Sequence, residues 1–175
     1  YQEIAAAGGG ILSTVRATRA AEAPALLELA LGRLAWMLSC GTTTAEAKSG
    51  YGLSLGDELK QLATIRAAAA AQPVELVPTL LAAHEVPEEY RHRRGAYLDL
   101  VCEEIVPAAA EQGLARFCDV FCEKGVFSAA ESRRVLAAGV RYGLLPRLHA
   151  DEFVDSGGAL LAAERLRASE IAAAP

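Results

Sequence analysis

The chain lacks several features that would decide its class at once. No apolar run reaches the roughly 18 residues that a bilayer-spanning helix requires. "AAAAAQ" near residue 70 is short and is flanked by Arg66 and Pro73. The sequence opens "YQEIAAAGGG", without the basic start and apolar stretch of a signal peptide and without an initiator methionine, so we expect either a processed chain or a piece of a longer one. The four cysteines, Cys40, Cys102, Cys118 and Cys122, show no CxxC or zinc-ribbon spacing. They read as buried free thiols in a reducing compartment, not as disulfides. No basic patch interleaved with aromatics is present, and the net charge of −5 comes from interspersed signs, which argues against a nucleic-acid partner. "RHRR" at 91–94 is the one dense basic cluster and reads as a solvated loop or helix start. "AGGG" at 7–10 follows no strand and is not GxGxxG, so it is weak evidence for phosphate binding. There is no HxH pair and no internal repeat, and the chain has only three histidines.

What remains is a 175-residue chain, 53% hydrophobic and rich in alanine, long enough for one domain with a sizeable core. Four short apolar or β-branched runs stand out: "GTTTAEA" (41–47), "VELVPTLL" (74–81), "RFCDVFCE" (116–123) and "LLPRLHA" (144–150). Helical periodicity fills the intervals. Leu26, Leu29, Leu31, Leu34, Met37 and Leu38 form one stripe, and Leu55, Leu59, Leu62 and Ile65 a second. Tyr97, Leu98, Val101, Cys102 and Ile105 follow the second run, and Val135, Leu136 and Val140 the third. This alternation predicts a parallel α/β fold, because parallel strands need helical crossovers. Doubly wound sheets and TIM barrels share that rhythm. Each run here ends in polar residues, as barrel strands do at the active-site mouth: Lys48, Ser49 and Tyr51; His84 and Glu85; Glu123 and Lys124; His149 and Glu152. We therefore expect a partial (β/α)8 barrel of about four βα units.

Three stretches carry candidate chemistry. In "LHADEF", His149 stands at a strand end with Asp151 and Glu152 close behind. A neutral imidazole suits zinc or iron, and a carboxylate turned back over the site can move a proton. Asp151 is expected to point away or to fix the loop. The same residues would also fit a surface histidine among solvated acids, and one histidine with one glutamate falls short of the three protein ligands zinc normally takes. In "EAKSGYGL" (46–53), glycines on both sides of Tyr51 permit a tight turn that aims the phenol into a cleft; an ordinary turn with a packed tyrosine is the alternative. In "LAAHEVP" (81–87), His84 shares its strand-end position with His149 and Tyr51.

The segments "AGGGILSTVRATRAA", "AEAKSGYGL", "VPTLLAAHEVPEEY", "DLVCEEIVPAAAEQGLARFCDVFCEKGVFS" and "LHADEF…GGALLAAE" closely resemble imidazolonepropionase, a family within the amidohydrolase superfamily of metal-dependent TIM barrels. The resemblance runs from about residue 1 to about residue 164. It implies hydrolysis of the cyclic amide 4-imidazolone-5-propanoate to N-formimidoyl-L-glutamate, a cytoplasmic step of histidine degradation. It also implies one divalent or trivalent metal ion, zinc or iron, with His149 as a ligand. Glu152 matches the glutamate that contacts substrate and positions or activates water. Tyr51 and His84 match substrate-binding positions. The partner is a small molecule, with no nucleic acid and no membrane, and a homodimer is compatible with the family. The family's HxH pair and its later aspartate ligand have no counterpart in this chain, and "RLRASEIAAAP" drifts from the family pattern. Residues 1–175 are thus expected to form the central part of a catalytic domain whose N- and C-terminal parts lie outside the chain. Another cyclic-amide hydrolase or deaminase of the superfamily, or an inactive truncated chain, are the readings to weigh against this one.

Overall fold

A computed structural model describes residues 10–163. Residues 1–9, with Gly8 and Gly9 of the AGGG stretch, and the tail from residue 164 onward lie outside the described residues. Helices α1 (Ile11–Ala20) and α2 (Ala23–Ser39) precede strand β1 (Thr44–Lys48). Helix α3 (Leu55–Ala71) crosses to β2 (Glu75–Ala83). A 3-10 turn (Glu88–Tyr90) leads into α4 (Arg94–Leu100), which continues through a π-helical stretch (Val101–Ile105) into α5 (Val106–Glu111). Strand β3 (Phe117–Cys122), helix α6 (Ala129–Arg141) and the short strands β4 (Leu145–Pro146) and β5 (His149–Ala150) follow. Residues 158–163 are again helical.

The helix starts are chemically specified. Ser54 caps α3, its hydroxyl accepting from the Asp57 N–H, and Asp57 and Glu58 put negative charge in the first turn, where the helix dipole favours it. Ser128 and Glu131 form a reciprocal capping box at α6, which satisfies two otherwise orphan N–H groups. The C-terminus of α1 is closed from outside: the Lys60 ammonium donates to the carbonyls of Thr18, Arg19 and Ala21 at 3.0–3.1 Å.

Every strand pairing is parallel, in the order β1-β2-β3-β4, with β5 also on β3. The order is sequential and has no reversal, so the chain is a parallel α/β sheet. Strand alternation gives the sheet two unlike faces. Ala45, Leu76, Leu80, Ala82, Cys118, Val120 and Leu148 pack with helical side chains. The opposite parity carries Glu46, Lys48, Thr79, Asp119, Arg147 and His149, linked by ion pairs and hydrogen bonds.

The expected strands and helices are present, with three differences. "LLPRLHA" is not one strand: its ladder to β3 is interrupted at Arg147 and Leu148, although the register is the same on both sides. Pro146 contributes no N–H to the ladder, and the Arg147 N–H still reaches the Cys118 carbonyl at 2.8 Å. Helix α1 carries no signal that the apolar spacing revealed. The cysteines are free, but Cys40 is exposed while Cys102, Cys118 and Cys122 are buried. "RHRR" is a solvated helix start, as read: Arg91, His92 and Arg93 are exposed and Arg94 opens α4. No helix among the described residues is long and apolar enough to cross a membrane.

Close approach of α6 to β3 rests on a glycine. A Cβ at Gly139 would stand 2.7 Å from Cys118 Cβ, whereas one at Gly32 in α2 would meet nothing within 4 Å. Gly32→Ala should stabilise the fold by roughly 0.5–1 kcal/mol through helix propensity. Gly139→Ala should destabilise it by about 1–3 kcal/mol through overpacking. Urea denaturation of the two variants checks the opposite signs.

Glu131 joins α6 to α4. Its carboxylate accepts from Arg94 Nε at 2.5 Å and Nη2 at 3.0 Å and from the Ser128 N–H at 2.8 Å. Chiefly the Arg94 hydrogen bonds hold its pKa down to about 2 from an ordinary 4.5. A depressed acid stabilises the fold above its unfolded pKa and loses that contribution as pH falls through the folded one. Glu131→Gln should therefore be less stable than wild type at pH 7, and the gap should close between pH 4.5 and about 2. Thermal melts across that window test it.

Candidate active site

The C-terminal ends of β1, β2, β3 and β5 open on one cleft of about 540 Å³. Tyr51, His84, His149 and Glu152 all line it, so the structure brings the four residues singled out in the sequence to one place. Phe121 lies between the two histidines, and the first turn of α1 closes one side with Ser13 and Thr14. The rings form a row. Tyr51 meets His84 edge-on with centroids 5.0 Å apart, His84 stands 6.0 Å from Phe121, and Phe121 meets His149 edge-on at 6.1 Å.

The Tyr51 turn is built around a buried acid. Glu58, one turn into α3 and fully buried, accepts N–H bonds from Gly50 (3.1 and 3.2 Å), Gly52 (2.8 Å) and Leu53 (2.8 Å). Burial raises the Glu58 pKa against these bonds and the Ser49 hydroxyl, which favour the carboxylate. The two glycines are needed for different reasons. Gly50 has φ +103°, and a Cβ there would stand 2.9 Å from the Leu81 carbonyl oxygen and 3.1 Å from His84 Nδ1. Gly52 lies against the α3 backbone, where a Cβ would be 2.5 Å from Glu58 N. From the other side, Arg19 of α1 donates to the carbonyls of Gly52 (2.6 Å) and Leu53 (3.1 Å).

His84 is half-buried, and its Nδ1 lies 2.9 Å from the Gly50 carbonyl oxygen. Burial pushes its pKa below the ordinary histidine value, against that bond. His149 stands differently. Its Nδ1 is 3.0 Å from Oδ2 of Asp119, but off the line of a well-formed hydrogen bond, so the contact is an ion pair more than a directed bond. The Asp119 carboxylate raises the His149 pKa despite partial burial. Asp119 itself is buried and also receives Lys48 Nζ at 2.7 Å; burial would raise its pKa, but His149 and Lys48 together lower it.

Glu152 follows β5 on an exposed turn that two acids brace from below. Asp151, at φ +56°, accepts from the N–H groups of Ser156 (2.7 Å), Gly158 (3.1 Å) and Ala159 (2.9 Å), which fixes the loop as its position suggested. Glu123 accepts from the Phe153 N–H at 2.9 Å and the Ser156 hydroxyl at 3.1 Å.

Sequence reasoning missed Phe121, Asp119, Glu58 and the first turn of α1. Asp119 had a legible signal: it is the single charge in "FCDVFC", at the parity opposite to both cysteines. Glu58 had none, being one of two adjacent acids in the first turn of a helix.

No protein-family model matches the chain. Individual relatives do. It is 64% identical over 165 residues to an imidazolonepropionase of Symbiobacterium thermophilum and 57% identical over 164 residues to one of Myxococcus xanthus, each match covering 94% of this chain. By sequence the chain belongs to the imidazolonepropionase family. A third relative, the imidazolonepropionase of Chloroflexus aggregans, is 54% identical over 173 residues. The chain spans only 39–40% of the length of these imidazolonepropionases.

In this imidazolonepropionase-family chain the Tyr51 turn depends on the space at Gly50. Gly50→Ala should destabilise the fold by about 1–3 kcal/mol, from the left-handed backbone and the contact with Leu81 together. It should also move the His84 ring. Denaturant titration measures the first, and the His84 side-chain NMR resonances report the second.

Proposed function

We propose that the chain is the central part of an imidazolonepropionase, hydrolysing the ring amide of 4-imidazolone-5-propanoate to N-formimidoyl-L-glutamate in the cytoplasm. The observation that carries this reading is the convergence of Tyr51, His84, His149 and Glu152 on one cleft, in a chain 64% identical to an imidazolonepropionase. Sequential parallel strands with the core on one sheet face support a (β/α)8 barrel of which residues 1–175 supply about four units. Its polar sheet face would then line the barrel interior, and the cleft would sit at the strand C-termini, where barrel active sites lie.

The reaction adds water to the ring carbonyl carbon and breaks the C–N bond to the ring nitrogen. Glu152, which lines the cleft, would take a proton from the attacking water and return it to the departing nitrogen. Tyr51 and His84 orient the ring by hydrogen bonds, holding the carbonyl toward Glu152 and His149. The donor chemistry fits zinc or iron in kind, because His149 is an imidazole braced by a buried carboxylate, the usual arrangement behind a ligand histidine. It does not fit in number: among the described residues no three His, Cys, Asp or Glu side chains stand together to hold an ion. His149 would thus be one ligand of a set completed by residues outside those described. A bound ion would act as a Lewis acid on the ring carbonyl. The partner is the small-molecule substrate, with no role for nucleic acid or membrane, and a homodimer is the assembly to test for.

Variants in a protein of the relatives' full length separate the roles. His149→Ala should lose metal and turnover together. Glu152→Gln should keep metal and lose kcat. Tyr51→Phe and His84→Ala should keep metal and lose about 5- to 150-fold in kcat/KM, the equivalent of roughly 1–3 kcal/mol for one hydrogen bond in a closed site. Metal analysis by mass spectrometry alongside steady-state kinetics on the imidazolone distinguishes these outcomes. Wild-type kinetics in both Tyr51→Phe and His84→Ala would mean that these side chains only pack the turns. The 175-residue chain alone should hold divalent metal weakly.

A further inference from the structure

His84 faces the cleft with a defined hydrogen-bonding sense. Its Nδ1 lies 2.9 Å from the carbonyl oxygen of Gly50. A backbone carbonyl can only accept, so the proton of the neutral imidazole sits on Nδ1 and Nε2 carries a bare lone pair. The orientation of that carbonyl is imposed from behind. The peptide before it and the two that follow Tyr51 deliver the N–H groups of Gly50, Gly52 and Leu53 to the buried Glu58 carboxylate. The peptide between Gly50 and Tyr51 places its own N–H 3.4 Å from Gln61 Oε1, one turn further along α3. Four successive peptide planes are thus held by two side chains on one face of one helix.

We propose that Glu58 is a positioning residue that, through the Gly50 carbonyl, presents His84 Nε2 to the cleft as a hydrogen-bond acceptor, so that the ligand group recognised there is a donor N–H. The reading rests on the proposed function for the identity of that group, which in an imidazolone is a ring N–H and neither the carbonyl nor the propanoate carboxylate. The partial burial of His84 favours the neutral ring that this requires. Glu58 is fully buried and is not among the residues that line the cleft. A glutamine in its place would keep the size but turn an NH2 group toward some of the same N–H donors, and the turn would lose its fixed peptide orientation.

The test is histidine-selective 15N labelling of the full-length protein, with the His84 resonances assigned by loss in His84→Gln. The expected spectrum shows a protonated Nδ1 and an unprotonated Nε2 for His84. A protonated Nε2 in the wild type overturns the proposal without any variant. In Glu58→Gln, checked for folding by circular dichroism, His84 should populate both tautomers, and KM for the imidazolone should rise roughly 5- to 50-fold while kcat changes less. A folded Glu58→Gln with the wild-type tautomer and KM overturns it. Should that variant not fold, Glu58→Asp keeps the charge and shortens the reach; it should show the same mixed tautomers, and an unchanged tautomer there again overturns the proposal. The tautomer is read without turnover. Failure of imidazolone hydrolysis with His84 protonated on Nδ1 would reject the proposed activity and leave the positioning intact, and the converse pattern would do the reverse.

Discussion

A carboxylate cut off from water organises the mouth of the sheet. Burying Glu58 without partners would cost several kcal/mol, and the fold offsets that cost with three backbone N–H groups and the Ser49 hydroxyl. The compensation works in both directions. The turn from Gly50 to Leu53, with two glycines and a leucine at φ +51°, has little regular structure of its own to satisfy its donors. The acid needs the turn, and the turn needs the acid. Because α3 carries Glu58, and α1 is tied to the same turn through Arg19, the placement of Tyr51 and His84 follows from helix packing and not from loop preference.

The other organising feature is the chemical difference between the sheet faces. Parallel strands buried on both sides usually read as unbroken apolar runs. Here one parity is apolar and packs under the helices, while the other carries a chain of charges from Arg147 and Glu46 through Lys48 to Asp119 and His149. Asp119 is the buried member, and an acid at such a position is tolerated only where cations meet it. Lys48 supplies that charge continuously and His149 supplies it when protonated. The carboxylate that anchors the imidazole is itself anchored by the strand two places away.

The element order was legible because each strand is a short apolar run bounded by polar residues, and each crossover helix repeats its leucines at helical spacing. His84, His149 and Tyr51 were legible for a related reason: in a parallel sheet, residues just past strand ends converge, whatever their separation in sequence. Glu58 and Phe121 were hidden because their importance lies in long-range contact. Glu58 looks like an ordinary first-turn acid that favours the α3 dipole, and nothing local marks it as fully buried. The break in the last strand was hidden because the ladder lapses at Arg147 and Leu148 without any shift of register. The pairing of Asp119 with His149 could have been drawn from alternation alone, by asking which face the single charge of "FCDVFC" must take.

The tight seat of α6 on β3 also decides the redox behaviour of the chain. Cys118 lies under Gly139, and burial pushes its pKa up to about 12; burial raises Cys102 as well. The thiolate is the form that reacts, so burial keeps both of these thiols inert in the folded chain. Among the cysteines, peroxides and alkylating agents therefore find one accessible thiol, Cys40, at the end of α2. Oxidation of the cysteines would begin at the surface of this chain, and the buried thiols would be reached only after the fold had opened.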